Sequence, residues 1–300
     1  MKAKIIYLKE RFSYAQLIRR IKKQKNSSKN NPFFIISAGR SGSTLLRKHL
    51  QFNPAVNVPP ESEDYIMVLS KIIIQNEKSI AANLVGEYLN SREWLKFWMI
   101  DKEEFIEQLK RKIINGDSIC EIIDLLYETH RDKYKPNAVL LGDKTPLLNN
   151  YLDLIAYLYS SSKVIYIIRD GRAVINSYIK TREYSLEKAV LRWKTSVKIY
   201  NKFKNKFGNR IYLLKYEEYI SNPELELSKI CTFLNVEYTS KMLSNENINL
   251  GDSHLSHHQN IQKPIDISTV YKWKTELNES QIVCINKSIK KELMAFNYIL

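Results

Sequence analysis

The sequence predicts an α/β protein with a central parallel sheet flanked by helices and a helical insertion after the second strand. Three observations predict it. Short apolar runs alternate with stretches of helical periodicity, and strands that alternate with helices pair in parallel and are covered on both faces. The loop Ala38–Thr44 is made of small residues and opens directly into a helix. This is the P-loop type of arrangement, in which loop N–H groups and a helix N-terminus converge on one oxyanion. Residues 62–135 read almost wholly as helix, with no strand alternation.

The elements follow in order. Residues 1–30 form a basic arm, in which Tyr14, Leu17, Ile18 and Ile21 recur at helical spacing beside Arg19, Arg20, Lys22 and Lys23. Such a helix can lie on an anionic membrane or dock a partner, or it can pack on the domain edge with its charges solvated. The first strand is Phe33–Ser37. A helix from Ser43 to Phe52 is stopped by Asn53 and Pro54. Ala55–Val58 is a second strand, ended by Pro59 and Pro60. In the insertion, Ile66, Leu69, Ile72 and Ile73 make one apolar face, and Trp94, Trp98 and Phe105 another. The rhythm of strand and helix returns with Val139–Leu141, which leads into Gly142, Asp143, Lys144, Thr145 and Pro146. Leu147–Leu158 is a helix, Lys163–Ile168 a β-branched buried strand, and Ala173–Lys180 and Leu186–Phe203 are helices. Ile211–Lys215 is the last strand, and Asn222 with Pro223 opens a further helix, Pro at its first position. Residues 31–300 are expected to form one domain, with residues 62–135 as an acceptor-side lid.

Composition narrows the class. The chain has 300 residues, 44% hydrophobic and 11% aromatic, which fits a globular protein. No window holds the ~18 apolar residues that span a bilayer, and Lys9, Glu10, Arg11 and Arg19 interrupt any signal-peptide core. The expected location is cytoplasmic, with peripheral membrane contact through residues 1–30 as a second reading. Cys120, Cys231 and Cys284 are widely spaced and read as small buried hydrophobes in a reducing compartment. The net charge is +15, of which residues 1–30 contribute +9, from ten Lys/Arg against Glu10.

Two loops carry the chemistry, and both follow strand carboxyl ends, where open α/β sheets bind ligands. In the first, Ser37, Ala38, Gly39, Ser41, Gly42 and Ser43 let the backbone approach an anion. Arg40 supplies a bidentate charge-assisted contact, and Thr44 offers its N–H and hydroxyl at the helix start. The lysine of a nucleotide-hydrolysing P-loop is missing, since Gly42, Ser43 and Thr44 stand where Gly-Lys-Thr would be. In the second, Arg169 leaves a strand ahead of Asp170, Gly171 and Arg172, and Ser177 follows eight residues later on a helix. A guanidinium and a hydroxyl facing one crevice make a second anion site. Two such sites on one sheet imply a nucleoside with phosphate-like groups at both ends.

Together, Gly39–Leu46 and Val164–Arg172 with Ser177 resemble the two nucleotide motifs of sulfotransferases that use 3′-phosphoadenosine 5′-phosphosulfate (PAPS). The resemblance extends from about residue 32 to about 275, and is nearest to the branch of tyrosylprotein sulfotransferases and related bacterial enzymes. It implies transfer of a sulfuryl group to a hydroxyl on a tyrosine or other phenol, an alcohol or a carbohydrate. It further implies Glu61, 21 residues after Arg40, as catalytic base, and Lys144, before Thr145 and Pro146, as a catalytic lysine. Arg192 with Trp193, Tyr216 with Glu217, Lys263 with Pro264, and Lys272 with Trp273 match in order and spacing, which places Tyr216 and Lys263 at the nucleotide. The family's serine falls six residues before Lys263, where this chain has His257, with Ser256 adjacent. Either could face the leaving group.

No metal is expected. A sulfuryl group carries less negative charge than a phosphoryl group, so Arg40, Lys144 and N–H donors can suffice, and His254, His257 and His258 lack a convergent ligand set. Asp143 reads as a salt-bridge partner for Lys144, and Trp193 as a helix-packing residue. Two other classes compete: a P-loop kinase or NTPase, which the missing lysine disfavours, and a non-enzymatic binder of nucleic acid or anionic membrane, which leaves Arg169 and Ser177 without a purpose. No nucleic-acid partner is expected.

Overall fold

A computed structural model describes residues 14–24, 28–244, 246, 251 and 265–299. Its centre is a five-stranded parallel sheet in the order β2-β3-β1-β4-β5. The strands are β1 (Phe33–Ser37), β2 (Val56–Asn57), β3 (Leu140–Asp143), β4 (Val164–Ile168) and β5 (Ile211–Lys215). β1 sits in the middle, pairing Phe33 with Gly142 of β3 and Phe34–Ser37 with Val164–Ile167 of β4. The chain leaves β1 toward β2 and β3, then crosses to β4 and β5 on the other side. The order therefore reverses at β1, and a crevice opens beyond its carboxyl end.

Alternation of side chains splits the core in two. Phe34, Ile36, Val164, Tyr166 and Ile168 face one layer of helices, while Phe33, Ile35, Ile165 and Ile167 face the other. Every residue of β1 and β4 is buried, as a parallel sheet covered on both faces requires.

Residues 14–21 are helical (α1). Leu17, Ile18 and Ile21 are buried in the first layer, and Tyr14 donates to Asp153. The apolar face of the arm is thus used for packing. The Gly/Ser loop enters α2 (Ser43–Gln51). The insertion after β2 is helical: α3 (Tyr65–Gln75), α4 (Lys78–Asn90), a 3-10 turn over Glu93–Trp98, α5 (Lys102–Asn115) and α6 (Ile119–Tyr134). Asp101 and Ser118 cap α5 and α6, the latter in a reciprocal box with Glu121. The remaining helices are α7 (Leu152–Leu158), α8 (Gly171–Arg182), α9 (Leu186–Phe207), α10 (Tyr216–Ser221), α11 (Pro223–Leu234), α12 (Trp273–Glu276) and α13 (Glu279–Ala295).

Three expectations need correction. The third strand starts at Leu140 and runs on to Asp143, because Gly142 and Asp143 pair with Phe33 and Phe34 of β1. The helix expected over residues 147–158 starts as a 3-10 turn, Pro146–Tyr151, and becomes α-helical only in α7. Cys284 is exposed, on the outer side of α13, whereas Cys120 and Cys231 are buried. Among the described residues no helix is long and apolar enough to cross a membrane.

Candidate active site

The loop after β1 bends because three of the four residues 39–42 have positive φ: +79° at Gly39, +54° at Arg40 and +85° at Gly42. Glycine tolerates this freely, whereas at Arg40 it costs about 1–2 kcal/mol. Side chains inside the loop hold it. The Ser37 hydroxyl accepts from the Gly39 N–H at 3.0 Å, and the Ser41 hydroxyl donates to the Gly39 carbonyl at 3.0 Å. Gly42 caps α2 with no side-chain hydrogen bond, and the first turn carries no acid. The helix therefore presents uncompensated N–H groups and positive partial charge to the crevice. A Cβ at Gly42 would run into the Tyr216 ring.

The second loop closes on the first. Arg40 Nε donates to Ser177 Oγ at 3.1 Å. Arg169 donates through Nη1 to the Arg40 carbonyl at 3.1 Å and through Nη2 to the Thr269 carbonyl at 2.8 Å. Its guanidinium lies 4.3 Å from the centre of the Tyr216 ring, and its Nε is buried with no partner. The backbone of Arg169 is fixed by Trp193, whose buried indole donates to the Arg169 carbonyl at 3.1 Å. Burial, with Arg182 alongside and Arg169 adding a further like charge, lowers the pKa of Arg40 below the usual arginine range. Uncompensated positive charge and an orphaned donor make this a candidate anion site. A cavity of about 510 Å³ joins the two loops, lined among others by Arg40, Ser43, Thr44, Arg169, Ser177 and Tyr216.

Beside the first loop, Lys144 emerges from the end of β3. It is fully buried, lies 3.4 Å from Thr44 Oγ1, and is ion-paired with Glu61. The Glu61 carbonyl accepts from Trp98 Nε1 at 3.2 Å, which ties the insertion to the site. Asp143 does not pair with Lys144 as the sequence suggested. It points to the opposite side of the strand end, accepting from Ser62 Oγ at 2.7 Å and Tyr127 OH at 2.5 Å. Ser62 N–H donates to Thr145 Oγ1 at 2.9 Å. The neighbours of Glu61 and Lys144 are thus fastened together.

Arg40, Gly42, Ser43, Thr44, Arg169, Ser177 and Tyr216 line one cavity; Lys144 and Glu61 adjoin it through Thr44, and Gly39 and Ser41 belong to the loop without lining it. Lys263, Ser256 and His257, like His254 and His258, lie outside the described residues. Among the described residues no group of His, Cys, Asp and Glu could hold a metal ion. Arg172, next to the second motif, is occupied elsewhere: it chelates Asp170, donates to the Ile299 carbonyl at 2.8 Å, and stacks 4.2 Å from the Trp273 ring.

Sequence reasoning missed Tyr178 and Thr269 as supports, and the contact that Arg192 makes. Tyr178 donates to the Ala38 carbonyl at 2.7 Å, and Arg192 reaches the same oxygen at 3.2 Å. Thr269 accepts from Arg169, and its hydroxyl lies 3.3 Å from that of Tyr216. These contacts span 100 residues or more, except for the 53 between Thr269 and Tyr216, so local pattern carries no signal for them.

The chain is similar in sequence and fold to known proteins. A family model described as "Sulfotransferase family" matches residues 32–240. Protein-tyrosine sulfotransferase A of Caenorhabditis elegans is 23% identical over 269 residues, covering 85% of this chain and 64% of that protein. The protein-tyrosine sulfotransferase of Drosophila melanogaster is 24% identical over 258 residues, covering 80% of this chain but 46% of that protein. The chain thus spans about half to two-thirds of those relatives. In fold, it is similar to the sulfotransferase domain of the Synechococcus PCC 7002 olefin synthase, at a TM-score of 0.66 and 22% identity over 93% of this chain and 98% of that one. The sulfotransferase domain from the curacin biosynthetic pathway gives 0.60, at 23% identity over 88% and 99%. With a family match over more than two-thirds of its length, and with both anion loops inside that match, this chain belongs to the sulfotransferase family.

Proposed function

We propose that the protein transfers a sulfuryl group from PAPS to a hydroxyl acceptor by in-line displacement, with Glu61 as general base. The observation that carries this reading is the position of Lys144, which joins the helix start at Thr44 to the carboxylate of Glu61. One cation thereby adjoins both the anion cradle and the base. The buried unpartnered Nε of Arg169, the uncapped start of α2 and the depressed pKa of Arg40 fit a donor with an anionic group at each end.

In this reading the loop N–H groups and Arg40 hold the 5′ end of the donor, and Arg169 with Ser177 the 3′-phosphate. Tyr216 lies at the nucleotide; the resemblance assigns the same role to Lys263, which is outside the described residues. Glu61 takes the proton from the acceptor hydroxyl as its oxygen bonds to sulfur, a role that contributes about 10²–10⁴-fold. The bond from sulfur to the bridging phosphate oxygen breaks, and 3′,5′-ADP (PAP) departs. Arg40 and Lys144 stabilise the charge that builds on that oxygen. These cations match the modest charge of a sulfuryl group, so the chemistry asks for no metal. The relatives named as protein-tyrosine sulfotransferases favour a phenolic hydroxyl; an alcohol or carbohydrate hydroxyl needs the same donor chemistry. The α3–α6 insertion, tied to Glu61 through Trp98, would form the acceptor side.

The test is thermal stabilisation by PAP against ADP and ATP, with and without Mg²⁺. A ligand at 100 times its dissociation constant stabilises by about 2.7 kcal/mol. PAP is expected to stabilise without Mg²⁺, and Arg169→Ala to remove most of the effect. Stabilisation by ATP with Mg²⁺ and not by PAP would return the chain to the nucleotide kinases.

A further inference from the structure

The net charge of +15 is confined to two segments. Residues 1–30 carry +9, and α9, with seven Lys/Arg against Glu187, carries +6. The rest of the chain is balanced, 30 basic residues against 30 acidic. The second half of α9 holds Lys198, Lys202, Lys204 and Lys206, all exposed, with no acid among residues 198–206. The spacing of four puts Lys198, Lys202 and Lys206 on one line along the helix. Residues 14–24 likewise hold Arg19, Arg20, Lys22 and Lys23, exposed and without an acid.

The fold joins these two segments. Tyr157, near the end of α7, has Lys22 Nζ at 4.5 Å and Lys206 Nζ at 3.8 Å from its ring centre. None of the eight cations has a described carboxylate within ion-pair distance. Asp153, which reaches the arm helix, is engaged by Tyr14. Two like charges brought onto one phenol ring, with no counter-charge, leave a positive field for something outside the molecule to satisfy.

The face lies at the far end of the sheet from the donor cavity. Tyr157 precedes the amino end of β4 at Val164, and α9 ends before the amino end of β5 at Ile211. The cavity lies beyond the carboxyl ends of β1, β4 and β5. The face also lacks what single-stranded nucleic acid uses. Residues 19–23 hold no aromatic, Tyr200 and Phe203 are buried, and the Tyr157 ring is covered by its two lysines. Base stacking has no platform there. Six of the eight cations are lysines, compact point charges that answer to surface potential rather than to planar recognition. With Leu17, Ile18 and Ile21 buried, no apolar stripe of α1 is left to insert.

We propose that residues 19–23 and 198–206 form one docking surface for a bilayer rich in anionic phospholipid, which holds the protein by charge alone and leaves the donor cavity at the opposite pole. The surface stands on charge placement and not on the donor chemistry, so PAP stabilisation is measured beside it as a separate readout.

The test is co-sedimentation of the full chain with phosphatidylcholine vesicles, with and without phosphatidylglycerol. Binding is expected only to the anionic vesicles, and to fall as salt rises. Each charge removed in Lys22→Gln/Lys206→Gln or Lys202→Gln/Lys206→Gln should weaken partitioning about fivefold. The charge-matched pair Lys102→Gln/Arg111→Gln on α5 should leave it unchanged, and all three variants should keep PAP stabilisation. Absence of binding to anionic vesicles at low salt would overturn the proposal, as would an equal loss in the α5 pair. An oligonucleotide that strips the protein from the vesicles at equal phosphate concentration would assign the face to nucleic acid and overturn it as well.

Discussion

Lys144 is fully buried and ion-paired with Glu61, whose side chain keeps 36% of its surface open to solvent. The pair is one-sided: the cation faces the helix start at Thr44, while the carboxylate remains within reach of an incoming hydroxyl. In the proposed reaction, an ammonium held this way is pre-organised for charge that appears only as the leaving group departs. Lys144→Met should lower transfer by about 10²–10³-fold in a steady-state assay while the protein stays folded. Retained wild-type turnover would remove Lys144 from the chemistry.

Ser62 donates to Asp143 and to Thr145, one neighbour on each side of Lys144. Its hydroxyl helps satisfy a fully buried carboxyl group whose pKa burial pushes up. Ser62→Ala should cost about 1–3 kcal/mol in denaturant unfolding. It should also lower kcat with little change in PAP affinity, because it loosens Glu61 against Lys144 and leaves the anion loops intact.

Gly42 has both a left-handed backbone and the Tyr216 ring against it. Gly42→Ala should destabilise by at least about 1 kcal/mol. It should also weaken PAP binding in titration calorimetry, because the displaced ring lies under Arg169.

His130 is buried, with Nδ1 3.1 Å from Asn57 Oδ1. Burial, with Arg47, Lys135 and Lys133 adding to it, pushes its pKa down to about 3. The folded state therefore binds fewer protons than the unfolded chain, whose histidine titrates near 6.5. The stability contributed by neutral His130 is complete above about pH 6.5 and is lost as the pH falls toward 3. The loss caused by His130→Gln should accordingly be greatest at pH 7 and shrink by pH 4, as read from denaturant midpoints. A loss independent of pH would contradict this.

The sheet was legible because both of its signals are local. β-branched runs such as Lys163–Ile168 and small-residue turns such as Gly39–Ser43 need no distant partner to be read. Arg40, Arg169 and Ser177 were legible as two separate motifs, and their meeting, Arg40 Nε on Ser177 Oγ across 137 positions, was not. Asp143 was misassigned because adjacency in sequence suggested a pair with Lys144. At a strand end, successive side chains leave on opposite faces, which sends Asp143 to Tyr127 and Lys144 to Glu61. The +9 excess of residues 1–30 was visible in the composition. The convergence of α9 with the arm at Tyr157 required the fold.

The central claim is tested most directly by following sulfur-labelled PAPS with wild type and Glu61→Gln against phenol, alcohol and carbohydrate acceptors. The wild type should move label to at least one hydroxyl class without added metal. Glu61→Gln should retain PAP binding and lose transfer by about 10²–10⁴-fold. Label that stays on the donor with every class, or a Glu61→Gln protein that transfers like the wild type, would contradict the account.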